Sequence, residues 1–167
     1  MSLLSFWQQP CRRYRNFQIM FAVLALNFLL PALVYTFAPE AAVDQFLSVN
    51  RLLGGADYRF PEAASRVWRY LGAANVMTLG FMCVLLAVNL RRFYPVLVPL
   101  TFMKAYAAAC WLSGWLQAPG YRFFLAAAVL DTVTSAAFVY FARGAHAEIA
   151  GRRDDELTPR PWSAVRG

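Results

Sequence analysis

The sequence predicts an all-α fold, an integral membrane four-helix bundle with an amphipathic helix in the long outer loop between helices 1 and 2. Composition is the first reason. Of the 167 residues 60% are hydrophobic and 15% charged, too little polar surface to solvate a compact soluble domain of this size. Four apolar runs are the second, near 17–38, 70–90, 94–116 and 121–142, each of about 20 residues and so long enough for the ~30 Å hydrocarbon layer of a bilayer. The placement of arginine is the third. Arg12, Arg13 and Arg15 precede the first run, Arg91 and Arg92 separate the second from the third, and Arg143, Arg152 and Arg153 follow the fourth. By the positive-inside rule both termini are cytoplasmic. The net charge of +7 reads as a topology signal and predicts no nucleic-acid partner, because the basic residues form no stripe with interleaved aromatics. Arg51, Arg59, Arg66 and Arg69 depart from the rule in the outer loop, where Glu40, Asp44, Asp57 and Glu62 offset them.

Residues 1–15 carry Leu3, Leu4, Phe6 and Trp7 ahead of the basic cluster, which suits either a short segment on the inner membrane surface or a frayed terminus. The first run, at about 22 residues against the 7 to 15 of a cleaved signal, is expected to remain as an anchor. It holds Asn27 near its centre and Pro31 four residues later. Proline displaces the carbonyl four residues back, so the side chain and backbone of Asn27 are both expected to find partners inside the bundle. From 39 to 55, Val43, Phe46, Leu47 and Leu53 alternate with Asp44, Gln45, Ser48 and Arg51 in an amphipathic pattern. Pro39 and Glu40 suit its first turn and Gly54-Gly55 its stop, and the helix is expected to lie on the outer face or cap the bundle. Pro61-Glu62 opens the next helix, with Arg66 and Arg69 one turn apart.

The second run carries Asn75 and Thr78 beside Gly72, Ala73, Ala74 and Gly80, small residues that permit close backbone approach. The two-residue turn at Arg91-Arg92 predicts that helices 2 and 3 are tight antiparallel neighbours. In the third run Pro95 falls in the first turn and Pro99 predicts a bend before Lys104. A turn at Gln117-Ala118-Pro119-Gly120 leads into the fourth. Trp68, Trp111, Trp115 and Tyr121 predict an outer aromatic belt, and Phe93, Tyr94, Tyr140 and Phe141 an inner one. The transmembrane domain is placed at 1–146 and a flexible cytoplasmic tail, with mixed charge and prolines around Trp162, at 147–167. Cys11, Cys83 and Cys110 form no disulfide framework, since the last two stand near opposite membrane faces.

The third and fourth runs carry one charge each. Lys104, the single lysine among 16 basic side chains, and Asp131, the only acid inside an apolar run, both lie roughly 15 Å from the turn that joins the two helices. A lone charge at that depth costs at least about 2.5 to 3.5 kcal/mol, so opposite charges at matched depth are expected to pair. A wider polar stripe of Asn27, Asn75, Thr78, Thr132 and Ser135 supplies candidate ligand or relay residues around them.

Conventional catalysis is not expected. The only histidine, His146, lies at or beyond the inner boundary, which excludes bis-histidine haem b. No Cys/His cluster suits zinc, and no phosphate loop or Ser-His-Asp set is present. No cofactor is predicted, although a polar headgroup such as a quinone or a lipid suits the stripe.

The stretch from Trp68 to Phe141, with its Arg69-Tyr70-Leu71-Gly72 opening, its Leu90-Arg91-Arg92 turn, a basic Lys104 in mid third helix and an acidic Asp131 in mid fourth, resembles the small four-helix DoxX-like bacterial membrane proteins. Lys104 and Asp131 stand where some relatives carry Arg and Glu. The resemblance implies the bacterial inner membrane and a four-helix fold, and one branch of the family resembles a membrane subunit of thiosulfate:quinone oxidation. Two functional expectations follow. The first is a non-catalytic integral membrane subunit that packs into or stabilises a larger membrane assembly, with the bilayer and a membrane protein or its own copies as partners. The alternative is a small proton-responsive carrier or quinone-linked subunit using Lys104 and Asp131.

Overall fold

The computed structural model describes residues 11–56 and 62–152, and every element in them is helical. α1 spans Arg12–Phe37, α2 Pro39–Leu52, α3 Glu62–Val88, α4 Leu90–Phe93, α5 Leu97–Gln117 and α6 Phe123–Ile149, with a 3-10 turn at Tyr94–Val96 between α4 and α5. Four stretches, Arg12–Phe37, Trp68–Val88, Leu90–Gln117 and Phe123–Ile149, are long and apolar enough to cross a membrane. They coincide with the four apolar runs, but α1 begins at Arg12 and α6 continues to Ile149. Hydropathy ends where the side chains turn polar, whereas the backbone stays helical through Arg143, His146 and Glu148. The expected surface segment at 1–10, residues 57–61 of the long loop and the tail from 153 onward, Trp162 included, lie outside the described residues.

α1 packs along α3 and α5 along α6, and the two pairs join chiefly where α1 meets α6. The reason lies in the spacing on α1. Tyr14, Phe17, Phe21, Ala25, Phe28 and Ala32 recur every three or four residues and are buried. Their rings build the centre of the molecule, with Phe17 at 4.2 Å from Phe21 and Phe138 of α6 at 5.5 Å from Phe21 and 6.4 Å from Phe28. On α3, Gly80 lets α1 come close, since a Cβ there would stand 2.7 Å from the Leu29 side chain. Gly72 faces open space and serves no such approach.

The expectation that helices 2 and 3 are tight neighbours is corrected. α3 and α5 touch only briefly. Asn89 adopts an extended backbone (φ −153°, ψ 91°), and its Oδ1 accepts from the Arg92 N–H at 3.0 Å, so the chain breaks and starts the short α4 in place of a turn. Pro95, which lacks an N–H, sits in the 3-10 turn that follows, and the connection swings α5 away from α3 and onto α6.

α2 forms as its sequence suggests, with Pro39 and Glu40 in the first turn and Gly54 at φ +72° beyond its end. It is tied to the turn between α5 and α6. Asn50, fully buried, accepts the Phe123 N–H on Oδ1 at 3.1 Å and donates from Nδ2 to the Ala56 carbonyl at 2.7 Å. Arg122 donates to the Leu53 carbonyl at 2.9 Å, and the Ala56 N–H donates to the Gly120 carbonyl at 2.8 Å. Phe46 packs between Tyr35 at 5.7 Å and Phe123 at 4.9 Å. At the opposite end Arg91 donates to the carbonyls of Ile149 and Arg152, Glu148 accepts the Tyr14 N–H at 3.0 Å, and His146 stacks on Tyr94 at 4.0 Å. The start of α1, the end of α3 and the end of α6 are thereby gathered at one arginine-bearing end.

Candidate functional site

Lys104 and Asp131 come together where α5, α6 and α1 meet. The Lys104 ammonium donates to Asp131 Oδ1, and both residues are buried, at 9% and 7% exposure. Trp111, two turns beyond Lys104 on the same face of α5, donates from Nε1 to Asp131 Oδ2 at 3.2 Å. Each carboxylate oxygen therefore has its own donor. From the third side Phe28 of α1 presents its ring to the ammonium, with Nζ 5.0 Å from the ring centroid. The ring quadrupole adds negative potential on the side of the ammonium facing α1.

Small side chains make this approach feasible. Ala108 on α5 and Ala128 on α6 are buried between the helices, and Gly114 meets Phe124 so closely that a Cβ would stand 3.2 Å from its ring. Trp111 is held in turn by stacking on Phe124 at 5.7 Å and by an edge contact to Phe123 at 6.0 Å. Ser135, one turn past Asp131 and buried, donates to the Thr101 carbonyl at 3.4 Å. The hydroxyl of Thr101 is buried there without a hydrogen-bond partner among the described residues.

The rest of the polar stripe does not converge. Asn27 is exposed on the outer face of α1, and the expectation of a hydrogen bond inside the bundle is corrected. The cause is the register: the stripe through Ala25, Phe28 and Ala32 faces inward, so Asn27 turns outward with Leu26 and Leu30. Asn75 and Thr78 are exposed on α3, and Thr132 is exposed on α6. Thr78 and Thr132 spend their hydroxyls on their own helices, donating to the carbonyls of Ala74 and Ala128 at 2.8 Å each. Of the two aromatic belts, Trp68 and Tyr140 are exposed, while Tyr121 is buried and Trp111 turns to the ion pair.

Sequence reasoning missed three contributors. In the sequence Phe28 is one more apolar residue of the first run, and nothing local marks a ring that faces an ammonium on another helix. Asn50 had a readable signal, because it continues the apolar register of Val43, Phe46 and Leu47 on α2. Gln18, fully buried on α1, donates to the Ala87 carbonyl of α3 at 3.0 Å, and its Oε1 has no partner among the described residues. No group of three or more His, Cys, Asp or Glu suited to a metal ion occurs among the described residues.

No family model, curated protein or solved structure matches the chain. Its functional reading therefore rests on its own geometry.

Proposed function

We propose that the chain is a non-catalytic integral membrane subunit with four spans and both termini cytoplasmic, a four-helix bundle of the bacterial inner membrane related to the DoxX-like proteins, that packs into or stabilises a larger membrane assembly. One observation carries this reading. Asp131 and Lys104 are satisfied by groups of the chain itself, Trp111 and the Phe28 ring included, which is what a pin between helices requires. The large exposed side chains support the membrane assignment, among them Leu26 and Leu30 on α1, Phe81 on α3, Val98 and Phe102 on α5, and Val129, Leu130 and Val133 on α6. Water would penalise such a surface, whereas acyl chains or apolar partner helices solvate it.

A second reading is favoured by the buried Thr101 hydroxyl one turn from Lys104, which has no hydrogen-bond partner among the described residues. In that reading the face around the pair takes a proton or a polar headgroup, such as that of a quinone. Native mass spectrometry of the protein extracted in mild detergent separates the two. A stable complex with a different polypeptide supports the subunit, and a single chain of 18.8 kDa or a homo-oligomer of it that retains an added short-chain quinone supports the second reading.

A further inference from the structure

We infer that the free face at the C-terminal half of α6 is a binding site for an anionic phospholipid, with an acyl chain along the helix and the phosphate on Arg143. The inference rests on the membrane reading above. A shallow groove, widely open to the surroundings, runs along this face, lined among the described residues by Ala136, Val139, Tyr140, Arg143 and Gly144. Positions 136, 140, 143 and 144 recur at helical spacing and so share one face. Ala136 and Gly144 leave room along the groove, and Val139 with the exposed Tyr140 supplies apolar wall.

Among its described lining residues the groove has one charge. Arg143 is exposed and has neither an ion pair nor a side-chain hydrogen bond with any described residue. The neighbouring arginines differ, since Arg91 is bonded to carbonyls and Arg92 lies over the Phe93 ring at 5.5 Å. Depth fits a lipid as well. At ~1.5 Å per residue Arg143 stands about 18 Å beyond Asp131 along α6 and Ala136 about 7 Å beyond it. With Asp131 near the midplane, the hydrocarbon ends about 15 Å away, so Arg143 falls at the phosphate level and Ala136 among the acyl chains.

Charge selects the occupant. Arg12, Arg13, Arg15, Arg92 and Arg152 share this end with Arg143, and the one acid there among the described residues, Glu148, already accepts from Tyr14. An anionic headgroup is drawn to such a field, whereas a zwitterionic lipid brings a compensating cation. A second copy of the chain seated symmetrically on the groove would set Arg143 against itself.

The test is lipid retention by the full-length protein in neutral detergent, titrated with phosphatidylglycerol or phosphatidylcholine and counted by native mass spectrometry. Preferential retention of phosphatidylglycerol is expected, with Arg143→Gln lowering its apparent affinity about fivefold. Ala136→Phe, which fills the groove, should lower it as well, and Arg92→Gln should change it by less than about twofold. Both test residues project from the outer surface of α6, so equal melting temperatures for the variants and the parent are expected. Equal retention of the two lipids, an Arg92→Gln loss matching that of Arg143→Gln, displacement of the lipid by inorganic phosphate, or a dimer abolished by Ala136→Phe would each overturn the site. Failure of the membrane reading shows separately, as release of the chain from membranes by alkaline carbonate.

Discussion

At the Asp131 carboxylate the two oxygens have different donors, an ammonium on one and an indole N–H on the other. The consequence is an asymmetry between losing one partner and losing both. Lys104→Met or Asp131→Leu leaves a charge buried without its counterion, at a cost of about 3 to 5 kcal/mol, while the double variant removes the desolvation cost together with the attraction. Thermal unfolding in detergent should therefore show both singles strongly destabilised and the double substantially recovered. A double that loses as much as the two singles summed would mean that the residues are not energetically coupled. Trp111→Phe keeps the stacking on Phe124 and deletes only the N–H, which should cost about 1.5 kcal/mol in the parent and almost nothing in the Lys104/Asp131 double variant.

Among the elements, α2 is joined to the start of α6 by one buried side chain, Asn50, beside the Arg122 and Phe46 contacts. Asn50→Ala removes the acceptor at the start of α6 and the donor to Ala56 together, so a loss of about 1 to 2 kcal/mol is expected, with hydrogen exchange accelerating first in α2. Gly55→Ala should imitate it, because the added methyl would stand 2.2 Å from Asn50 Oδ1. On the α1 and α3 pair, Gly80→Leu forces Leu29 aside and is expected to lower stability by about 1 to 3 kcal/mol, whereas Gly72→Leu should be nearly neutral. These elements differ in how far their sequence announced them. The spans and α2 were legible because burial and periodicity act within one segment, as Pro39, Glu40 and Gly54 do at the ends of α2. Lys104 and Asp131 were legible because a charge within an apolar run demands a partner. That α3 packs on α1 and not on α5 was hidden, since Asn89 can be a turn residue or a cap, and its choice of the Arg92 N–H decides that α5 leaves α3. The outward turn of Asn27 was hidden likewise, because the run around it is apolar on every side and carries no moment to orient it.

For the whole molecule, the arginine-bearing end and the α2 end should lie on opposite sides of the membrane. In a cysteine-free background, single cysteines at the exposed positions Asn16 and Ala150 should resist an impermeant thiol reagent in intact cells, and one at Ser48 should react. The reverse pattern would invert the proposed topology. The tie between Asn50 and Phe123 also bears on how the chain is made. The two residues are 73 positions apart, so at about 5 to 20 residues per second a ribosome needs roughly 4 to 15 s to add the second after the first. Throughout that interval α2 has its contact with α1 but not its ties to the turn before α6, which only completion of the α5 and α6 hairpin supplies. Nascent chains arrested before Phe123 should therefore expose α2 to protease, and chains arrested beyond α6 should shield it, which would make this short helix a reporter of the moment at which the α5 and α6 hairpin closes.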